Sequence, residues 1–205
     1  MQPSQSENLI EERNSRRAML DQFGIYFLRD IGDVEAEHFS KSMLVMGSAL
    51  RNYPGNRITV YINSGGGSVG AGFAMMEAMY KVKRDYGVAV DTVVLGYAYS
   101  MGAVIAQAGD KRSMGFFSTM MLHGGTWNIV GEDHRIFQDY QKLADLYKKK
   151  IGELFARRTN QQNPQWWTRY IYSGRDRFLS AQECLDLGLV DEVCEFDKCY
   201  IPSER

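Results

Sequence analysis

The sequence predicts an α/β protein in which helices cover a mainly parallel sheet. Apolar strand-like runs at Ile58–Ile62 and Val88–Leu95 are each followed by a segment with helical spacing, Val69–Lys83 and Ser100–Ala108. This alternation of strands and helices is typical of parallel strands, because their connections have to cross the sheet. With 205 residues, 44% of them hydrophobic, the chain is long enough for one large domain or two small ones.

The other elements follow from the same local signals. A β-type run at 24–28 precedes a helix for which Asp33 is the expected N-cap. Further strands are predicted at Phe117–Leu122 and Leu189–Val193, and further helices at Asp133–Arg158 and from the capping box Ser180–Glu183 to Gly188. The helix at 133–158 is long for a globular domain, which indicates an arm that reaches beyond the core.

Charge and hydropathy exclude several classes of partner. The formal net charge of −1 gives no overall field that would attract nucleic acid or an acidic membrane. No apolar run approaches the ~20 residues that a membrane span needs. Residues 1–14 are polar and partly acidic, unlike a secretory or organelle-targeting segment. We therefore expect a cytoplasmic protein with a polar N-terminal arm over residues 1–20, and neither a nucleic acid nor a membrane as partner.

The cysteines and histidines do not form a recognisable framework. Cys184, Cys194 and Cys199 are odd in number and too few for a set of structural disulfides, so three reduced thiols are predicted. The three histidines are scattered without the spacing of metal ligands. We expect no metal and no cofactor.

The strongest chemical signal is Ser100, which lies between an apolar run and a second run of small residues, Met101–Ala103. A strand-to-helix junction of this kind projects a hydroxyl and turns the following N–H groups toward one point. An activated nucleophile with an oxyanion hole requires that geometry. Taken alone, the serine is better explained as a helix cap, because most serines near helix starts are caps.

Two further residues complete a possible acyl-transfer site. His123 follows an apolar run, and Asp176 lies between two arginines. Alone, the first suggests a core histidine and the second a surface ion pair. Together with Ser100 they lie at predicted strand ends or in loops, where ligand sites of α/β sheets are found. Serine, histidine and aspartate are the parts of a catalytic triad.

The glycines at 65–67 follow a predicted strand and permit a close backbone approach to a ligand. A phosphate-binding loop would need a lysine directly after them, and the next lysine is Lys81. A tight turn and an oxyanion donor both remain as interpretations of this loop.

Four segments carry a family resemblance: Ile62–Val69, Gly96–Ala103, Met121–His123 and Arg175–Glu183. They resemble, in the same order, the Ile-Asn-Ser-Pro-Gly-Gly loop, the Gly-x-Ala-x-Ser-Met-Gly-Ala segment, the Met-Ile-His segment and the aspartate segment of Clp protease proteolytic subunits, the ClpP family. The resemblance covers residues 23–193.

The resemblance implies a ClpP/crotonase-type βαβ superhelical core with a protruding long helix. It implies one protease domain over residues 21–199, a handle at about 124–170 and a C-terminal tail at 200–205. Ser100 would be the nucleophile of a serine endopeptidase, His123 the general base and then acid, and Asp176 the group that orients the histidine. The backbone N–H groups of Gly67 and Met101 would form the oxyanion hole. Substrate would bind along Gly66, Ser68, Gly124, Gly125 and Thr126.

The resemblance also implies an assembly and partners. Two stacked heptameric rings would form a homo-oligomeric tetradecamer. An AAA+ unfoldase would hydrolyse ATP and deliver unfolded polypeptides for degradation.

Several departures and alternatives stay open. Gly65 replaces the family's proline, Tyr99 replaces a small residue, and Gly124 begins a segment that replaces Gln-Pro. The aromatic segment 163–170 either packs at the end of the long helix or forms an inter-ring or partner surface. The alternative functions are a noncatalytic ring subunit, a crotonase-type acyl-CoA enzyme and a self-contained peptidase.

Overall fold

The fold is a mainly parallel sheet with helices, as predicted. The computed structural model describes residues 23–53, 55–125 and 134–200. The predicted arm at 1–20 and residues 201–205 of the predicted tail lie outside the described residues. Among the helices that are described, none combines the length and hydropathy needed to cross a bilayer.

The strands are β1 (Ile25–Leu28), β2 (Arg57–Ser64), β3 (Ala89–Tyr99), β4 (Arg112–Gly115), β5 (Thr119–Leu122), β6 (Arg177–Ser180), β7 (Glu192–Glu195) and β8 (Lys198–Tyr200). The helices are α1 (Asp33–Leu50), α2 (Val69–Tyr86), α3 (Met101–Ala106), α4 (His134–Arg158), α5 (Pro164–Ile171) and α6 (Ala181–Asp186).

The sheet branches at its longest strand, β3. The main path runs β1-β2-β3-β4-β7-β8, with only the last pair antiparallel. Residues 92–94 of β3 pair with β4, whereas residues 97–99 pair with β5. The short β5 then pairs antiparallel with β6. The branch therefore brings β3, β5 and β6 together at one end of the sheet.

The core lies between the sheet and the helix pair α1 and α2. Strand β2 alternates buried and more exposed residues, as expected for a strand with one covered face. Side chains from both helices and the two central strands are fully buried there, among them Phe39, Met43, Met46, Met75, Met79, Ile58, Val60, Ile62 and Val90. The apolar spacing seen in the sequence thus places these elements.

The long helix α4 divides into two halves. Residues 137–142 are exposed, whereas Ile151, Phe155 and Ala156 are buried. This exposure pattern agrees with the prediction that the helix extends beyond the core. Its last turns pack on α5, where Trp167 is fully buried and its ring centroid lies 5.1 Å from that of Phe155. Packing therefore accounts for Trp167, and the alternative inter-ring surface stays a prediction.

Some local predictions were wrong. Asp33 is the first helical residue of α1, and Gly32 occupies the N-cap position without a side-chain cap. The final parallel strand begins at Glu192 rather than at Leu189. Strands β4 and β8 and helix α5 were not predicted. The capping box of α6 is confirmed: Ser180 Oγ accepts from Glu183 N at 3.3 Å and the Glu183 carboxylate accepts from Ser180 N.

The prediction of three reduced thiols was wrong for two of the cysteines. Cys194 and Cys199 face each other across the antiparallel β7–β8 pair and form a disulfide. The nearby Glu192 carboxylate is engaged by Lys111 Nζ at 2.9 Å and by the Ser113 hydroxyl at 2.7 Å. Cysteine counting missed the disulfide, because it becomes apparent only once the hairpin register is known. Cys184 is a free thiol, as predicted, and it is buried.

A buried arginine ties four elements together at the edge of the core. The Arg112 side chain is 7% exposed, and its guanidinium pairs with the Asp191 carboxylate and donates to three further acceptors. These are Gln107 Oε1 at 2.8 Å, the Gly188 carbonyl at 2.9 Å and the Arg158 carbonyl at 2.6 Å. Burial alone would raise the pKa of Asp191, but the hydrogen bonds and charge of Arg112 outweigh it and hold that pKa below its ordinary value.

We predict that Arg112→Met lowers the free energy of unfolding by about 3 kcal/mol. This is the lower end of the range for breaking a buried pair, because Asp191 remains 40% exposed. A carboxyl with a lowered pKa contributes stability above its unfolded pKa and loses it as the pH falls. The deficit should therefore shrink below about pH 4. Urea unfolding at several pH values measures it.

The control is Lys41→Met, which removes an exposed pair with Glu37 on α1. This variant should unfold like the parent protein. An Arg112→Met protein of parental stability would mean that the network around Arg112 does not hold the edge of the core.

Candidate active site

Ser100 occupies the sharp junction between β3 and α3. Its backbone has φ 53° and ψ −121°, a conformation that is uncommon for a residue with a side chain. Its N–H donates to the Met121 carbonyl at 2.8 Å, and its carbonyl accepts from Ala103 N and Val104 N. Hydrogen bonds on both sides therefore fix the strained turn, and this residue does not act as a side-chain cap.

His123 and Asp176 are positioned by the antiparallel β5–β6 pair. The last partners of this ladder are Leu122 and Arg177. His123 follows the first of these and Asp176 precedes the second, so the two residues are next in the same register. Strand β5 also pairs with β3 just before Ser100. One short strand thus brings together three residues that are far apart in the chain.

The three side chains form a continuous chain of contacts. His123 Nε2 lies 2.8 Å from Ser100 Oγ, and His123 Nδ1 lies 3.4 Å from Asp176 Oδ1. The histidine side chain is 27% exposed and the aspartate side chain 58% exposed. The first distance is that of a hydrogen bond, and the second is longer than a good one. The structure therefore brings all three predicted residues together, with the aspartate most loosely held.

The Asp176 carboxylate favours one tautomer of the His123 imidazole. An ionised carboxylate can only accept hydrogen bonds, so contact with Asp176 favours a proton on Nδ1 of His123. The lone pair of Nε2 then faces the hydroxyl of Ser100. In this tautomer the imidazole can accept the serine proton, which is what activation of a hydroxyl nucleophile requires.

The glycine loop packs directly on the serine. A Cβ at Gly66, whose φ is +100°, would lie 2.7 Å from Ser100 Cβ, and the Gly66 N–H is engaged by Ser64 Oγ at 3.2 Å. Gly67 forms an isolated bridge with Ile31, and a Cβ there would lie 2.1 Å from the Ile31 carbonyl oxygen. Within the described residues, neither Gly67 N–H nor Met101 N–H donates to a protein acceptor. The assignment of these two groups to an oxyanion hole stays a prediction.

A groove and a small apolar cavity meet at Ser100. The groove has a volume of about 610 Å³, and Gly67, Ser68, Gly124 and Gly125 are among its lining residues. Ser68 also caps α2, since its Oγ accepts from Ala71 N at 3.3 Å. Of the other predicted substrate-binding residues, Gly66 packs against the Ser100 side chain, and Thr126 is outside the described residues.

The cavity beside Ser100 has a volume of about 40 Å³. Its apolar lining comes from α2, α3, α4 and α5 and includes Val69, Met101, Val104, Ile151, Phe155 and Ile171. Sequence reasoning placed none of the last four at the site, because their helical spacing is equally typical of a core. The cavity suits an apolar side chain of a bound ligand.

Tyr172 is a second feature that sequence reasoning missed. It lines both the cavity and the groove, and Lys148 Nζ lies 5.2 Å from the centre of its ring. Burial raises the pKa of its phenol to about 12, so the group is neutral at physiological pH. No local sequence signal separates it from the other aromatic residues of this segment.

Cys184 is the free cysteine of the part of the chain that the structure describes. Burial raises the pKa of this thiol to about 12, so almost none of it is thiolate at neutral pH. It lies on α6, whose helix follows β6. Its chemistry therefore does not compete with that of Ser100.

We predict that Gly66→Ala slows the reaction of Ser100 with a fluorophosphonate by a factor on the order of 10². The added methyl group has to displace the serine Cβ, and displacement of a reacting group by about 1 Å has effects of this size. Labelling kinetics followed by intact mass measure it.

Gly65→Ala is the matched control, since no described atom lies within 4 Å of a Cβ built at Gly65. It should react at the parental rate. Equal rates for both variants would show that the glycine at 66 does not set the position of the serine.

Comparisons with known proteins identify the family. The Clp protease family model matches residues 6–197. The chain is 31% identical to proteins named ATP-dependent Clp protease proteolytic subunit from Bacteroides thetaiotaomicron and Bacteroides fragilis, over 90% of this chain and 83% and 88% of those relatives. It is 30% identical to a protein of the same name from Chlorella vulgaris, over 82% of this chain and 80% of the relative. The chain belongs to the Clp protease family.

Proposed function

We propose that this chain is the serine endopeptidase subunit of a Clp-type protease and that Ser100, His123 and Asp176 are its catalytic triad. The observation that carries the proposal is the 2.8 Å contact between His123 Nε2 and Ser100 Oγ, with Asp176 next to Nδ1. An acyl-CoA enzyme of related fold would need none of these three side chains in contact.

The reaction follows from the contacts. His123 Nε2 takes the Ser100 proton as Oγ attacks the scissile carbonyl carbon, and Asp176 stabilises the resulting imidazolium. The oxyanion of the tetrahedral intermediate accepts from the N–H groups of Gly67 and Met101, each worth about 3 kcal/mol in the barrier. His123 then protonates the leaving amine, and an acyl group remains on Oγ. Water then attacks the acyl carbon while His123 Nε2 takes its proton. Ser100 Oγ leaves and receives that proton from His123, and the carboxylic acid product is released.

The substrate is an extended polypeptide. The groove is open and about 610 Å³ in volume, which suits a strand-like segment rather than a compact ligand. The small cavity beside Ser100 would take an apolar side chain on the acyl side of the cleaved bond. A folded protein does not present its backbone in this way, so the substrate has to be unfolded first.

The assembly is the second part of the proposal. The projecting half of α4 would join two heptameric rings into a closed tetradecamer. An AAA+ unfoldase would deliver the substrate and hydrolyse ATP. Such confinement would keep folded proteins away from a site that has little sequence selectivity. The exposed Phe137 and Tyr140 on this half of α4 support an interface there.

We predict that Ser100→Ala abolishes cleavage of short fluorogenic peptides and all labelling by a fluorophosphonate, because Ser100 is the hydroxyl that contacts His123 among the described residues. Circular dichroism and native mass should stay unchanged. Ser48→Ala, a change at an exposed serine of α1, is the control. Residual peptidase activity in Ser100→Ala at the parental level would assign the chemistry to another group.

We predict that Asp176→Asn lowers kcat by a factor on the order of 10⁴, because the amide no longer favours the required tautomer of His123. The substitution keeps the shape of the side chain, so KM should change little. Steady-state kinetics on a fluorogenic peptide measure both constants. A parental kcat would remove Asp176 from the mechanism.

We predict that native mass spectrometry finds a tetradecamer, and that the double substitution Phe137→Glu/Tyr140→Glu leaves separate heptamers. Burying two new carboxylates between rings is unfavourable. Tyr53→Glu, at an exposed aromatic residue outside α4, should preserve the tetradecamer. Intact double rings in the double variant would contradict the role of α4, and a monomeric parent would contradict the ring assembly while leaving the Ser100 chemistry in place.

A further inference from the structure

The least constrained member of the triad is Asp176. Its side chain is 58% exposed, and its contact with His123 Nδ1 is 3.4 Å long. It ends the short connection from α5 to β6, which includes Gly174 at φ +77°. An exposed carboxylate on such a connection keeps its position only if both ends of the connection are fixed. Strand β6 fixes the end that follows Asp176.

The next residue along the chain, Arg177, fixes the other end. Its guanidinium lies over the Tyr170 ring at 4.1 Å, and its Nε donates to the Tyr170 carbonyl oxygen at 2.8 Å. Its Nη2 donates to Ser173 Oγ at 3.3 Å, and that hydroxyl donates to the same Tyr170 carbonyl at 3.3 Å. One planar side chain therefore joins β6 to the last turn of α5 and to the middle of the connection.

The contacts of Arg177 with Tyr170 are of a kind that stabilises the C-terminal end of a helix. Carbonyl groups in the last turn of a helix lack intrahelical partners, and a cation there is favoured by the helix dipole. Tyr170 is itself anchored, because its ring stacks on Trp166 at 4.7 Å and meets the buried Trp167 at 5.7 Å. The support for Arg177 thus extends into the aromatic cluster between α4 and α5. The aromatic segment at 163–170 therefore supports Arg177 in addition to packing against α4.

We infer that Arg177 and Tyr170 are positioning residues for Asp176: by closing the 172–176 connection, they hold the carboxylate at Nδ1 of His123. The inference rests on the proposed triad. It does not make either residue catalytic, since neither contacts Ser100 or the imidazole. Loss of the contacts between Arg177 and Tyr170 should therefore lower the reaction rate only by displacing Asp176.

The test is Arg177→Lys, made both in the parent and in the Asp176→Asn protein. Lysine keeps the charge but lacks the planar face and the fork of donors. In the parent, kcat should fall by a factor on the order of 10 to 10², the effect of a displacement of about 1 Å, with KM changed less than twofold. In Asp176→Asn, the same substitution should lower the rate less than twofold, because no carboxylate is left to position.

Labelling of Ser100 by a fluorophosphonate gives the second readout, and it remains measurable in the slow Asp176→Asn protein at high reagent concentration and long reaction times. Amide hydrogen exchange over 172–176 should rise in Arg177→Lys while the unfolding midpoint stays within error.

A second variant is Tyr170→Leu, which removes the stacking surface and keeps the carbonyl. It should give the same dependence on Asp176. Arg57→Lys is the control. It removes a comparable two-donor contact, in which Arg57 Nη2 lies 2.6 Å from Asp91 Oδ1 at the opposite end of the sheet. This variant should leave kcat unchanged.

The outcomes separate this inference from the proposed function. An equal fractional loss in both backgrounds, or no loss in the parent, overturns the positioning role while the triad stands. A parental rate for Asp176→Asn alone overturns the triad, and the positioning role with it. A tenfold or larger loss in the parent that vanishes in Asp176→Asn supports both.

Discussion

The pairing of one four-residue strand on both of its edges holds the site together. Strand β5 lies between β3 and β6, so its backbone hydrogen bonds determine where Ser100, His123 and Asp176 stand relative to one another. A shift of one residue in either ladder would turn every following side chain to the other face of the sheet. The proposed triad is therefore a consequence of strand register. The long connection through α4 and α5 only has to return the chain to β5, where β6 pairs with it.

Strain at Ser100 is offset by this same pairing. A non-glycine residue at φ 53° is unfavourable by roughly 1–3 kcal/mol. The hydrogen bond to Met121, the two helical bonds to its carbonyl and the glycine loop at 66–67 leave the residue no relaxed alternative. In this conformation the Ser100 hydroxyl lies 2.8 Å from His123 Nε2. The position of the Ser100 side chain thus depends on hydrogen bonds and packing from its neighbours.

Sequence reasoning reached the site because its residues follow strong strand and helix signals, and because the family motifs surround them. It failed where only pairing or burial decides the structure. The disulfide between Cys194 and Cys199 requires the β7–β8 register. Strand β4 has a single large apolar residue, the fully buried Met114, and its Arg112 is buried through hydrogen bonds that the sequence does not reveal. For α5 the signal was present, since Asn163 caps the helix and Pro164 begins it, but the aromatic run obscured it.

The helix α4 links the shape of the cavity to the surface that projects from the core. Ile151 and Phe155 line the cavity beside Ser100, and Leu143 and Tyr147 line the groove. The same helix continues into the exposed residues 137–142. One continuous helix, held by its own i to i−4 backbone hydrogen bonds, therefore supplies the cavity wall at Ile151, part of the groove and the exposed surface at 137–142, so these three features have fixed places along one axis.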